Sequence, residues 1–196
     1  MDPELAMAKF GPLPYKLNDS TCKMGIHYML ADKIAARFDG YGRVLDACCG
    51  AGFTSIALAK YAGHVIAIDN NEEHFDQARF NARLAHCENK IEFVLGDVLE
   101  YDGAFDAAFL DPDWARGNRR DKSLHVKALD RTNPPADVLF TRIYNKTHDI
   151  ALRLPKELDL SELEKLPEHE TEWLEHPYLD RVSRFYCVYF GDLQKR

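Results

Sequence analysis

The sequence predicts a doubly wound α/β fold, with a mostly parallel seven-stranded sheet, helices on both faces and an antiparallel hairpin at its C-terminal end. Three observations predict it. Short apolar runs alternate with helix-patterned stretches along the chain, which is the rhythm of βαβ units. Successive runs end at or beside an acid, namely Asp69, Asp97 and Asp111, and the carboxyl ends of parallel strands are where open α/β sheets take ligands. No repeat, low-complexity tract or linker rich in Gly, Ser or Pro divides the chain.

Asp32–Phe38 carries a helical pattern that Gly40 and Gly42 end, and Arg43–Cys48 then reads as a short buried strand. Phe53–Tyr61 is the helix that follows. Val65–Ile68 is a second buried strand ending at Asp69, and a longer helix over Glu72–Ala85 sets Phe75, Ala78, Ala82 and Ala85 on or near one face. Ile91–Leu95 and Phe105–Leu110 are the third and fourth strands, the latter stopped by Asp111-Pro112 because proline has no amide hydrogen for a ladder. A polar, basic connector runs to about Pro135. A helix over Ala136–Asn145, a fifth strand over Ile150–Leu154 and a short helix over Asp159–Leu166 come next, and Glu170–Leu174 and Arg184–Phe190 form the hairpin at the sheet edge.

Composition narrows the class. An apolar share of 46% with 29% charged residues is ordinary for a folded domain and far from the signature of disorder. Met1–Met7 reads as an expression scar and residues 8–196 as one domain. No apolar run reaches the roughly 18 residues of a membrane helix. The expectation is therefore a cytoplasmic or nucleoplasmic protein, free of membrane and acting as a monomer or small homo-oligomer. Five cysteines lack C-x-x-C spacing and leave one over in any pairing, so reduced thiols and no metal site are expected. The net charge of -7 opposes a general polyanion binder unless Lys and Arg cluster locally.

The residues at the strand ends carry the chemistry. Val44-Leu45-Asp46-Ala47-Cys48-Cys49-Gly50-Ala51-Gly52 puts an acid and two glycines after the first strand, where glycine lets the backbone approach a ligand. Asp69 is placed to accept both hydroxyls of a ribose. Asp97 is an acceptor suited to an adenine amine, or the cap of a turn, with Val98 beside it for apolar contact. A nicotinamide fingerprint would place a third glycine where Ser55 stands, and no G-K-[ST] follows for a phosphate loop. Three acids on successive strands without that third glycine point to S-adenosylmethionine, with S-adenosylhomocysteine as product. The candidate cofactor contacts are Asp46, Cys48, Gly50, Gly52, Phe53, Thr54, Asp69, Asn70, Asp97 and Val98.

The fourth strand ends in Asp111-Pro112-Asp113-Trp114, which resembles the [DNS]-P-P-[YFW] motif of methyltransferases that modify amino groups of nucleobases. A flat aromatic stacks on a base, while the polar side chain and a proline-fixed carbonyl accept hydrogen bonds from the amine. The candidate catalytic residues are Asp111, Pro112, Asp113 and Trp114. In the connector, Arg116, Arg119, Arg120, Lys122, His125, Lys127 and Arg131 form the strong basic cluster of an otherwise acidic chain. With Trp114, Arg116, Arg119 and Arg120 are the candidate contacts to an RNA substrate.

With these segments the chain resembles the trimethylguanosine synthase family from roughly Lys33 to Leu193. The likeness is carried by Val44 to Gly50, Val65 to Asp69, Ala78 to Ala82, Lys90 to Phe93 with Gly96-Asp97, Phe109 to Trp114, and Val188-Tyr189-Phe190-Gly191-Asp192-Leu193. The resemblance implies a Rossmann-like class I methyltransferase fold and methylation of the guanine N2 amine of capped RNA from S-adenosylmethionine. It also implies that Asp46 and the Gly50-Ala51-Gly52 turn face the methionine part, Asp69 the ribose and Asp97 the adenine, with Trp114 stacked on the guanine.

Two departures stand out. The family usually has S-P-P-W where this chain has Asp111-Pro112-Asp113-Trp114, so Asp113 suits either a cationic methylated guanine or a different substrate. The chain also has little before the first strand, where cap-recognising members carry an additional helical region. N-methylation of another base or small aromatic amine, and a non-catalytic module that binds cofactor and RNA, are the alternatives.

Overall fold

The computed structural model describes residues 3–114, 126–176 and 184–195. In chain order the helices are α1 (Pro3–Phe10), α2 (Asp19–Met24), α3 (Tyr28–Ala35), α4 (Phe53–Leu58), α5 (Glu72–Leu84) and α6 (Ala136–Tyr144). The strands are β1 (Arg43–Ala47), β2 (His64–Asp69), β3 (Ile91–Leu95), β4 (Ala107–Leu110), β5 (Ile150–Pro155), β6 (Glu170–Glu175) and β7 (Arg184–Tyr189).

They form one seven-stranded sheet in the order β3-β2-β1-β4-β5-β7-β6. The first five pair in parallel, while β7 runs antiparallel to β5 and to β6. This is the expected doubly wound sheet with its terminal hairpin, and the later strand of that hairpin sits inside the earlier one.

The apolar pattern explains the layers. In β1, Val44 faces a core built with Leu30, Ile34, Ala57, Leu58, Ala78 and Ala82 from α3, α4 and α5. Its neighbours Leu45 and Ala47 face the opposite core, with Leu139, Phe140 and Ile143 from α6. Strands covered on both faces read as continuous apolar runs, as β1 and β5 do. Asp46 breaks the run and is fully buried.

Helix starts follow their caps. The Asn71 side chain accepts from His74 N to open α5, with Glu72 and Glu73 in the first turn and Arg83 in the last, as the helix dipole favours. His27 caps α3 through Nδ1, so this helix begins four residues before the expected Asp32, and its expected last turn is a 3-10 turn over Ala36–Phe38. Asp159 likewise caps the expected short helix, which is a 3-10 helix over Leu160–Lys165. α4 stops at Leu58 and β4 starts at Ala107, each shorter than expected. The α1 and α2 helices went without assignment in the sequence. Their lengths of 8 and 6 residues give little periodicity to read.

Register aligns the strand ends. Ala47 lies opposite Ile68 and Leu110, and Leu110 opposite Leu152. Cys48, Asp69, Asp111 and Arg153 therefore follow one another along a single rim.

Candidate active site

The strand order reverses between β1 and β4, and a cleft opens above that point, where doubly wound sheets bind ligands. Its floor is the turn after β1. Cys48 (φ 65°), Gly50 (φ 56°) and Gly52 (φ 81°) are all in the left-handed region, so the chain folds back sharply before α4. The turn is tied down by Cys49 N donating to Ile68 O at 2.8 Å and Gly52 N to Cys49 O at 2.9 Å. A Cβ built on Gly50 or on Gly96 would meet no atom within 4 Å. Both glycines border the cleft, so the backbone itself is open to a ligand there.

Of the sequence-predicted cofactor contacts, Cys48, Gly50, Phe53, Thr54, Asp69, Asn70, Asp97 and Val98 line the cleft. Asp46 and Gly52 do not. Asp46 points under α4, where Ser55 Oγ donates to its Oδ2 at 2.5 Å while its buried Oδ1 has no hydrogen-bond partner among the described residues. Burial pushes this carboxyl up to about 8, against the opposing Ser55 hydrogen bond. Gly52 lies against α5, where a Cβ would come 3.0 Å from the Ala78 Cβ, so its small size serves helix contact. Burial also pushes the Cys48 thiol up.

Asp69 is held by the backbone. Its Oδ2 accepts from Gly50 N at 2.8 Å and its Oδ1 from Asn71 N at 2.9 Å, with His74 Nδ1 at 3.5 Å from Oδ1. That carboxylate raises the His74 pKa. Asp97 borders the cleft and also opens the 3-10 turn Val98–Glu100, its Oδ1 accepting from Leu99 N at 2.9 Å. The turn-cap alternative for this acid is therefore present, in a residue that borders the cleft.

Across the cleft stands the end of β4. Asp111, Pro112, Asp113 and Trp114 all line it. Asp111 Oδ2 accepts from Arg153 Nη1 at 2.8 Å, whereas Oδ1 is buried without a hydrogen-bond partner among the described residues. Burial raises the Asp111 pKa, and Arg153 opposes that rise. The Asp113 main chain exchanges two hydrogen bonds with Asn133, at 2.8 and 2.7 Å, so the motif is pinned to the segment that returns from the connector. Trp114 packs partly into the core under the guanidinium of Arg153.

Arg116, Arg119, Arg120, Lys122 and His125 lie outside the described residues. Lys127 and Arg131 are described and do not border the cleft; Arg131 is 3.5 Å from Asp130 on the surface.

Several cleft residues carried no sequence signal. Thr21, Met24, Gly25 and Ile26 form a wall from the segment before β1, and His74 and Arg153 complete the rim. The N-terminal wall is fixed to the turn and to α5: Phe10 stacks on Phe53 with centroids 3.9 Å apart, and Thr21 Oγ1 donates to Gln77 Oε1 at 2.8 Å. Their partners are 43 to 56 residues away in sequence, and only the closed fold brings them together.

Residues 41–191 match the family described as RNA cap guanine-N2 methyltransferase, a span from just before β1 to just past β7. The chain belongs to the RNA cap guanine-N2 methyltransferase family. It is thus a member of an S-adenosylmethionine-dependent methyltransferase family. Individual relatives are more distant. The chain is 36% identical over 87 residues to a sterol 24-C-methyltransferase of Gibberella zeae, covering 42% of this chain and 22% of that protein. It is 34% identical over 94 residues to a 23S rRNA (uracil(1939)-C(5))-methyltransferase of Neisseria lactamica, covering 44% and 21%. The chain thus matches about a fifth of the length of these curated relatives.

Among solved structures, a methyltransferase provisionally assigned in Porphyromonas gingivalis aligns with a TM-score of 0.71 at 21% identity, covering 89% of this chain and 43% of that one. An RNA methyltransferase provisionally assigned in Pyrococcus horikoshii aligns with a TM-score of 0.63 at 15% identity over 97% of both chains. At such identities the likeness concerns the fold, which is the Rossmann-like class I methyltransferase fold.

Proposed function

We propose that the chain transfers a methyl group from S-adenosylmethionine to an exocyclic amine of a nucleobase, guanine N2 in RNA above others. The observation that carries this reading is the meeting of Trp114 and the partly exposed Asp111 side chain on one wall of a cleft whose opposite wall holds Asp69 and Asp97.

The cofactor fits the other wall. The open backbone at Gly50 and Gly96 leaves room beside the turn, Asp69 faces a ribose with its carboxylate already oriented by two amides, and Asp97 with Val98 suits an adenine. When bound, S-adenosylmethionine supplies an electrophilic methyl group on a sulfonium. The residues of the chain then have three tasks. Trp114 stacks on the base and sets its plane. The Asp111 carboxylate accepts a hydrogen bond from the substrate N–H and, with the Pro112 carbonyl, turns the nitrogen lone pair toward the methyl. The N-terminal wall from Thr21 to Ile26 keeps water from the reacting atoms. Positioning of this kind supplies more of the rate than proton transfer.

The connector bearing Arg116, Arg119 and Arg120 leaves the motif directly and suits a phosphate backbone. A second reading, methylation of another base or a small aromatic amine, is favoured by Asp113, whose negative charge at the mouth repels phosphate. A labelled methyl-transfer assay with capped RNA, total RNA and free nucleotides tests both. Incorporation into RNA that falls when the three arginines become alanine supports the first, and transfer to small amines insensitive to that change supports the second. No incorporation into any of them, with S-adenosylhomocysteine still bound by calorimetry, would leave a binding module instead.

A further inference from the structure

Arg153 is a buried cation at the point where four parts of the fold converge. It is 5% exposed, and its position on β5 places it beside Asp111 on one side and Cys187 of β7 on the other. Its Nη1 donates to Asp111 Oδ2 at 2.8 Å and to the Met24 carbonyl at 3.0 Å. Its guanidinium carbon lies 4.8 Å from the Trp114 ring centroid and 4.6 Å from that of Phe185. One group thus holds the end of β4, the N-terminal wall, the cleft tryptophan and the hairpin.

Such a group is expensive to bury without a purpose. Arginine stays protonated in proteins, and taking a charge out of water costs several kcal/mol unless it is well paired. Here the pairing is incomplete on both sides. Asp111 Oδ1 and Arg153 Nε are buried and have no hydrogen-bond partner among the described residues. A purely structural pair would close on itself. This one engages a single oxygen of the carboxylate, in a side chain that stays 17% exposed beside the cleft.

The carboxylate that stands where the family usually has serine therefore comes with its own counter-charge. With Arg153 present the pair is neutral. Without Arg153, a buried carboxyl would take up a proton and cease to be a simple acceptor. The same guanidinium covers Trp114 by a cation–π contact, which fixes the plane of the indole.

We propose that Arg153 is a positioning residue for methyl transfer, orienting the Asp111 carboxylate that accepts from the substrate amine and holding the Trp114 ring on which the base stacks. This rests on the reading of the cleft given above.

The test uses the full chain with Trp173→Phe, so that Trp114 is the only tryptophan. R153M and R153K are compared for Trp114 emission and acrylamide quenching, for kcat and KM on the RNA that accepts methyl groups, and for S-adenosylhomocysteine affinity. In R153M the Trp114 emission shifts to the red and is quenched more readily, kcat falls about 10²-fold as expected for misplaced reacting groups, and cofactor affinity stays the same. R153K keeps the charge without the planar fork and falls between the two. The double variant D111N/R153M, which removes both charges, regains part of the kcat lost in R153M.

Unchanged Trp114 emission and quenching in R153M, or an unchanged kcat, overturns the proposal. Should R153M not fold, R153K decides by the same readouts. If the unsubstituted chain transfers no methyl group, it is the functional reading that fails, and the Trp114 signal alone decides whether Arg153 orders this wall.

Discussion

Asn81 and Lys16 exchange two hydrogen bonds across 65 residues of sequence: Lys16 N donates to Asn81 Oδ1 at 2.7 Å, and Asn81 Nδ2 donates back to the Lys16 carbonyl at 3.0 Å. The same Nδ2 reaches the Ala51 carbonyl at 3.0 Å. A fully buried amide on α5 thereby joins the segment that leads into the N-terminal wall to the cleft floor. Replacing Asn81 with Ala leaves the buried Ala51 carbonyl unsatisfied, at a cost of about 1–3 kcal/mol, and frees the exposed Lys16 segment. Denaturant titration should show that loss. Calorimetry should show weaker S-adenosylhomocysteine binding, since wall and floor both move. A variant as stable as the parent would refute the link.

Trp114→Ala should separate substrate from cofactor. Loss of a stacked base is worth about 1–3 kcal/mol, so kcat/KM for RNA should drop by about one to two orders of magnitude. The S-adenosylhomocysteine dissociation constant should hardly move. Equal losses in both would mean that the indole supports the cleft as a whole.

The acid stability of the chain should depend on His27. Burial and the nearby His176 hold its pKa down to about 4, below the ordinary 6.5, and its Nδ1 accepts from Met29 N at 3.2 Å to cap α3. An imidazole that accepts there must be neutral. Between pH 6.5 and about 4 the unfolded chain binds a proton that the folded chain refuses, so stability is complete above 6.5 and is lost as the pH falls through this window. His27→Asn keeps a capping oxygen and should flatten that part of the melting profile, read by circular dichroism. A profile identical to the parent's would assign the acid sensitivity elsewhere.

Asp46 should act in the opposite sense. Its folded pKa of about 8 exceeds the ordinary 3.8 because it is buried beneath α4. In that interval the folded chain holds a proton that the unfolded chain has released, so stability falls as the pH rises and levels off above about 8. Asp46→Asn still accepts from Ser55 and cannot ionise. Its stability relative to the parent should climb between about pH 5 and pH 8, and urea titration across that range would expose a constant difference if the carboxyl were already charged.

Much of this architecture was legible in the sequence. The strands β1, β2, β4 and β5 stand out because burial on both faces makes them largely apolar runs, and the acids that interrupt or end them mark the ligand side. The Asp111-Pro112-Asp113-Trp114 motif identified one wall of the cleft directly. The opposite failure is equally physical. Arg153 looks like an ordinary polar residue in a strand, and its meaning depends on Asp111, 42 residues away. His74 lies in the first turn of a helix whose pattern concerns its other face. The N-terminal wall is held by contacts such as Lys16 with Asn81, which no local periodicity contains.

The order β5-β7-β6 at the end of the sheet has a consequence for how the chain reaches this form. As a ribosome releases it, β6 emerges before the strand that must lie between it and β5, so β6 can find no place in the sheet at that moment. The outer edge of β5 stays open until β7 arrives and bonds on both sides at once. Phe185 lies opposite Pro155 of β5, so closure of this edge also brings the ring of β7 against the Arg153 guanidinium. The cleft wall therefore matures only when synthesis has passed β7, and a nascent chain released earlier would expose a bare strand edge to chaperones or to its neighbours.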